Sequence, residues 1–188
     1  MIVIVSGLPR SGTSMMMNML EAGGMDLLVD NVRKADKDNP RGYFEYELVK
    51  KLPEGNIIWL ESANSKVVKV VSYYIHHLPP RYEYKVLFME RNFDEILESQ
   101  KQSVIEKEQT TSRKEDKMMT DYFKNHVKQT KEWISLQPNF SVLYLSYNEI
   151  VLNPEQYLDK INTFLELELN KEKMSKIVDK NLYRQRSK

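Results

Sequence analysis

The sequence predicts an α/β fold of three layers, in which helices flank a central, mainly parallel sheet of four to five strands. Three observations predict it. Short apolar runs alternate along the chain with stretches of helical periodicity. The first run, Ile2-Val3-Ile4-Val5, has no polar face, the pattern of a strand buried on both sides. A glycine-framed loop, Gly7 to Gly12, follows it and leads into a helix-forming run. In such sheets ligands sit beyond the carboxyl ends of the strands, so the loop also predicts where a site lies.

Taken in order, residues 2–6 form the first strand, and Thr13 to Ala22 form a helix that Gly23-Gly24 stops. Its methionines at 15, 16, 17 and 19 read as core packing. Residues 25–44 lack periodicity and are rich in turn formers, which predicts a mobile or substrate-side segment. Glu45 to Lys51 is expected to form a short helix halted by Pro53. Val67 to Val71 is the second strand, with Lys69 in its middle; a lysine there is costly unless it snorkels or reaches an anion.

Tyr84 to Met89 is the third strand. Asn92 and Glu95 then read as a capping pair for a helix with Phe93, Ile96, Leu97 and Val104 on one face. Residues 106–117 contain no apolar residue and read as a solvated helix extension or a second mobile segment. Met118 to Leu136 is a helix in which His126 reads as a solvated residue, and Ser141 to Leu145 is the fourth strand. Pro154 opens a helix through Tyr157, Leu158, Ile161, Phe164 and Leu165. Lys176 to Lys188 is a basic tail, and nothing divides residues 1–188 into more than one domain.

Composition narrows the function. The 188 residues carry 28 Lys and Arg against 27 Asp and Glu, so a general polyanion binder such as a nucleic-acid protein is not expected, and any anion site must be local. Cysteine is absent, which excludes disulfides, thiolate metal sites and a cysteine nucleophile. No apolar run approaches the ~18 residues of a membrane span. The four apolar residues after Met1 are too few for a signal peptide, and a cytoplasmic location is expected.

A glycine loop between strand and helix binds phosphate because its backbone N–H groups converge and the helix start adds partial positive charge. Gly7 to Ser14 keeps the two glycines and final serine of the P-loop pattern G-x-x-x-x-G-K-[ST], but Thr13 stands where the lysine belongs. Arg10 is the loop's only cation. Magnesium-assisted transfer from ATP thereby loses a principal charge-stabilising group, a class of loss worth roughly 2.7–4 kcal/mol.

Pro9-Arg10-Ser11-Gly12-Thr13-Ser14 resembles the phosphosulfate loop of the sulfotransferase family, P-[KR]-S-G-T-[ST], at every position. The family's second motif pairs a strand-terminal arginine with a serine eight residues on, and Arg91 and Ser99 have that spacing. Val68-Lys69 with His77-Leu78-Pro79 is similar, at stretched spacing, to the lysine-threonine-histidine-leucine-proline segment of cytosolic members. Tyr147-Asn148-Glu149-Ile150 resembles the family's tyrosine-glutamate-aspartate-leucine stretch. The likeness runs from residue 2 to about 166. It departs in the tail, where the nucleotide-closing G-x-x-G-x-x-K segment is missing and Tyr183, Arg184 and Arg186 stand instead.

The resemblance implies a P-loop-type fold and sulfuryl transfer from 3′-phosphoadenosine 5′-phosphosulfate to a hydroxyl or amine of a small-molecule, sugar or protein acceptor, with no metal. It implies nucleotide contacts from Pro9, Arg10, Ser11, Gly12, Thr13, Ser14, Arg91 and Ser99, with Arg184 as the tail's candidate. Arg10 is the natural cation for the leaving phosphate and Lys69 a second. For the base, Glu45 is preferred over His76 and His77, although imidazoles have the more suitable unperturbed pKa, about 6.5. Two other readings stand beside this one: a P-loop kinase with Glu90 as the magnesium-orienting acid, and a nucleotide-binding module without turnover.

Overall fold

The computed structural model describes residues 1–30, 32–36, 39, 41–105 and 113–179. Four strands, β1 (Ile2–Gly7), β2 (Val67–Lys69), β3 (Tyr84–Glu90) and β4 (Phe140–Ser146), form one sheet in the order β2-β1-β3-β4. Every pairing is parallel, and Gly7 at the end of β1 lies opposite Met89 near the end of β3. The chain leaves β1 to one side for β2 and returns to the other for β3. The crevice where the order reverses therefore opens beside the loop that follows β1.

The strands' period of two divides the core between the faces of the sheet. Ile2, Ile4, Val68, Val86 and Phe88 pack with Ile96 of α2 (Phe93–Ile105) and with Phe123, Val127 and Ile134 of α3 (Arg113–Ser135). Val3, Val5, Leu87, Met89 and Leu145 face the other way, against Met16, Met17, Met19 and Leu20 of α1 (Thr13–Gly23). That second layer is completed by α4 (Tyr147–Leu152), α5 (Glu155–Leu165) and α6 (Lys171–Ile177). The α/β fold with a parallel sheet between helices is as the sequence predicts; Met16, Met17 and Met19 of α1 are core, whereas Met15 is half-buried and lines the cavity described below. Among the described residues, no helix is long and apolar enough to cross a membrane.

Several local expectations are corrected. Strand β2 ends at Lys69; Val70 and Ser72 continue alongside β1 by donating backbone hydrogen bonds to the carbonyls of Val5 (3.0 Å) and Gly7 (2.9 Å). The helix expected over 45–51 is a 3-10 helix, Glu47–Glu54, that contains Pro53, and Glu45 precedes it outside any helix or strand. A second 3-10 segment, Ile58–Ala63, buries Trp59 and Leu60. Helix α3 begins at residue 113, so 113–117 follow the helix-extension reading of that stretch, while 106–112 lie outside the described residues.

The first two residues of the stretch read as a basic tail, 176 and 177, belong to a helix, while 180–188 lie outside the described residues. Lys171–Ile177 is a helix because Asn170 caps it, accepting from the Lys173 N–H at 2.9 Å, and because Met174 is fully buried. Met174 packs over Gly23 of α1, where a Cβ would meet its side chain at 2.9 Å. Two apolar residues, Met174 and Ile177, in a charged stretch give too little helical periodicity to read, and the contact of Met174 with Gly23 is 151 residues away in sequence.

Candidate functional site

The loop after β1 is shaped by its glycines. Gly7 has φ 136° and a Cβ there would stand 2.4 Å from the Met89 carbonyl oxygen, so β3 passes too close for any side chain. Gly12 has φ 97° and a Cβ would lie 2.3 Å from the Tyr147 ring. Ser11 donates its hydroxyl to the Leu8 carbonyl at 2.7 Å, closing the turn. Helix α1 starts at Thr13, and its first rung runs from the Met16 N–H to the Gly12 carbonyl. The N–H groups of Thr13, Ser14 and Met15 precede that rung, so the start of α1 turns backbone donors and partial positive charge toward the loop.

Arg10, also at positive φ (73°), is gripped by the next strand's end. Its Nε donates to the Ser99 hydroxyl at 2.8 Å, and its carbonyl accepts from an Arg91 terminal nitrogen at 3.1 Å. The two motifs read separately in sequence, 9–14 and 91/99, are thus in direct contact. Arg91 is nearly buried, paired with the buried Glu95 carboxylate at 3.0 Å and lying 4.6 Å from the Tyr147 ring centroid. Asn92 caps α2 by accepting from Asp94 N–H at 2.9 Å. Glu95 does not close the expected capping box, because its carboxylate is turned inward to Arg91 and Asn148.

Across the loop stands the second cation. Lys69 does not snorkel: it is 6% exposed, its ammonium donates to the Tyr43 carbonyl and to Ser14 Oγ (3.4 Å), and Glu45 lies 3.8 Å away. Burial lowers its pKa from 10.5 to about 8; the Glu45 carboxylate opposes the shift. Glu45 is held by Arg33 at 2.9 Å, with Lys50 at 3.7 Å from its other oxygen. The segment that carries it is stitched together: Tyr43 donates its hydroxyl to Asp36 at 2.8 Å, and Arg33 lies 3.3 Å from the Tyr43 ring centroid. Phe44 takes a left-handed φ of 52°, turning the chain between Tyr43, whose carbonyl faces Lys69, and Glu45.

These groups line one cavity of about 640 Å³. Pro9, Arg10, Gly12, Thr13, Ser14, Arg91 and Ser99 line it together with Lys69 and Glu45. Tyr46, Val49, Tyr73 and Tyr74 add an apolar and aromatic wall, and Arg41, Ile177 and Asp179 bring in the end of α6. Arg41 donates to the Ile177 carbonyl and stands 3.8 Å from Asp179. The volume lies in the ordinary range for sites that enclose a small organic ligand. Among the described residues, no group of three or more His, Asp or Glu side chains is placed to hold a metal ion.

Not every candidate comes together. Ser11 lies beneath the loop rather than on the cavity surface, closing the turn as described. His77 sits exposed on a 3-10 turn, Ile75–His77, that buries Ile75 instead, and the structure does not bring it to the cavity; His76 packs on Trp133. Arg184, with Tyr183 and Arg186, lies outside the described residues. Conversely, His126 is not solvated. Its Nε2 lies 2.9 Å from the buried Ser72 hydroxyl and its ring 4.3 Å from that of Tyr73, while burial, then His76, lower its pKa. The polar supports Glu95 and Asn148 were also missed; their signal was a carboxylate at the fourth residue past Arg91, read as a helix cap.

A parallel sheet with a glycine loop at its switch point, leading into a helix start ringed by arginines and a buried lysine, defines a P-loop-type protein built for an anionic ligand. The sulfotransferase domain family matches residues 2–188, so the chain belongs to the sulfotransferase family and is a sulfotransferase. No curated protein matches it at the level of sequence. A sulfotransferase domain from the curacin biosynthetic pathway superposes with a TM-score of 0.52 at 15% identity, over 92% of this chain and 76% of that one. Mouse sulfotransferase SULT7A1, complexed with PAP, gives 0.50 at 14% identity, over 94% of this chain and 62% of that one, so this chain spans less than two thirds of its length. At these identities the likeness is one of fold.

Proposed function

We propose that the protein moves a sulfuryl group from 3′-phosphoadenosine 5′-phosphosulfate to a hydroxyl or amine of its acceptor. The observation that carries this reading is the convergence of Arg10, Arg91, Ser99 and Lys69 on one cavity at the start of α1. Arg91 and Ser99 take the 3′-phosphate. The loop from Pro9 to Ser14 and the first N–H groups of α1 take the 5′-phosphate, and Arg10 and Lys69 face the group in transfer. The acceptor enters from the side of Tyr46, Tyr73 and Tyr74, whose rings suit an aromatic or sugar ring.

Transfer forms one sulfur–oxygen or sulfur–nitrogen bond to the acceptor and breaks the sulfur–oxygen bond to the 5′-phosphate. The bonding pair stays on the phosphate oxygen, and adenosine 3′,5′-bisphosphate leaves. Positioning and electrostatic stabilisation carry most of such a reaction, as in loose phosphoryl transfer. The acceptor's proton goes to the Glu45 carboxylate, the base candidate that lines the cavity. Arg33, Lys50 and Lys69 surround that carboxylate and hold it in place at the cavity.

The kinase reading gains no support. Thr13 occupies the lysine position, and Glu90, its candidate acid, is paired with Lys131 at 2.5 Å and does not line the cavity. The direct experiment supplies donor carrying labelled sulfate to a panel of phenols, sugars and amines. Label moves to an acceptor with the wild type, and Glu45→Gln lowers turnover about 10²–10⁴-fold. Wild-type turnover retained in Glu45→Gln would remove Glu45 as the base.

A further inference from the structure

The first turn of α4 touches both anion motifs, although neither sequence pattern assigns it a part. Tyr147 covers Gly12 and lies beside Arg91. The next residue, Asn148, works one step further back. Its Nδ2 donates to both oxygens of Glu95, at 3.1 and 3.0 Å, and its Oδ1 accepts from the Asn92 backbone N–H at 3.3 Å. Glu95 is 3% exposed and in turn accepts from Arg91 Nε at 3.0 Å. Arg91 and Ser99 line the cavity, whereas Glu95 and Asn148 do not.

We infer that Asn148, acting through Glu95, positions the Arg91 guanidinium and so sets the protein's preference for nucleotides that carry a 3′-phosphate. The inference rests on the assignment of Arg91 to that phosphate. A guanidinium is a planar fork whose donors meet phosphate oxygens at fixed angles, so its orientation matters as much as its charge. The Arg10 carbonyl holds one terminal nitrogen of the fork and Glu95 holds Nε, so the orientation of the guanidinium depends on where the Glu95 carboxylate sits. Asn148 ties the same carboxylate to the α4 turn and, through the Asn92 N–H, to the first residue before α2. Arg91 is thereby referenced to three elements at once: β3, α2 and α4. Because Asn148 is neutral, its truncation leaves the charge around Arg91 unchanged and isolates geometry from field strength.

The test measures dissociation constants for adenosine 3′,5′-bisphosphate and for adenosine 5′-monophosphate by calorimetry. It compares the wild type, Asn148→Ala, Glu95→Gln and the double variant, with Asn148→Ser as a second truncation should alanine unfold the protein. In the wild type the bisphosphate binds more tightly. Asn148→Ala weakens the bisphosphate about three- to tenfold, the size of one net hydrogen bond, and leaves the monophosphate unchanged. In the Glu95→Gln background the same substitution has no further effect. Equal weakening of both nucleotides, or no weakening of either, overturns the inference. A wild type that does not distinguish the two nucleotides instead removes the donor assignment, and the inference with it.

Discussion

Lys69 is where the chemistry of a single residue is most exposed to measurement. Its burial with only partial compensation by Glu45 lowers its pKa to about 8. In the free enzyme the proposed cation is therefore lost above that pH, and kcat/KM for the donor should fall above about pH 8. A bound anionic donor favours the charged lysine, so the limb in kcat lies at higher pH. Lys69→Arg keeps its charge and should remove the limb from kcat/KM; a rise in kcat/KM above pH 8 in the wild type would make Lys69 a base instead. The stability effect has its own sign. Between about pH 8 and 10.5 the unfolded chain holds a proton on Lys69 that the folded protein does not, so stability rises with pH across that window. The sequence marks Lys69 as a lysine out of place in an apolar run. It does not show that the Tyr43 carbonyl, 26 residues upstream, meets the ammonium. His77 illustrates the reverse error: a suitable side chain at a stretched motif spacing, turned outward because its 3-10 turn buries Ile75.

Among the elements, the unit of β1, loop and α1 was legible almost to the residue, because each constraint is local: apolar alternation, glycines at positive φ, and a helix beginning at Thr13. A prediction belongs to it. Gly12→Ala places a methyl group 2.3 Å from the Tyr147 ring in a left-handed conformation. It should cost about 2 kcal/mol or more of stability, read as a lower Tm, and weaken bisphosphate binding. An alanine variant with unchanged Tm and affinity would mean that Tyr147 does not hold the loop. The short elements were less legible. Helix α4 has six residues, too few for periodicity, and exists because Ser146 caps it, accepting from the Glu149 N–H at 3.3 Å, and because Tyr147, Ile150 and Val151 are buried. The contact of His126 in α3 with Ser72 beyond β2 spans 54 residues and leaves no local mark. The same holds for the pairing of Arg10 with Ser99, 89 residues apart.

At the scale of the whole molecule, the sheet separates two cores of different composition. The face toward α2 and α3 is aromatic and branched, and the face toward α1 and α6 depends on methionine. Met16→Ala deletes a fully buried side chain between α1 and the sheet, and should lower stability by about 2–5 kcal/mol. Denaturant unfolding measures this directly; a loss below about 0.5 kcal/mol would contradict the packing described. The fold class followed from sequence because strand alternation and chain order determine it, whereas the site is assembled from β1, β2, β3, α1, α2 and the 33–50 stretch, and such convergence is read only in three dimensions. The central claim is that this convergence selects a 3′-phosphorylated nucleotide, and one calorimetric comparison tests it. The wild type should bind adenosine 3′,5′-bisphosphate more tightly than ATP with magnesium, and Arg91→Ala should abolish most of that preference. Tighter binding of ATP with magnesium, or a bisphosphate affinity unchanged in Arg91→Ala, would contradict it.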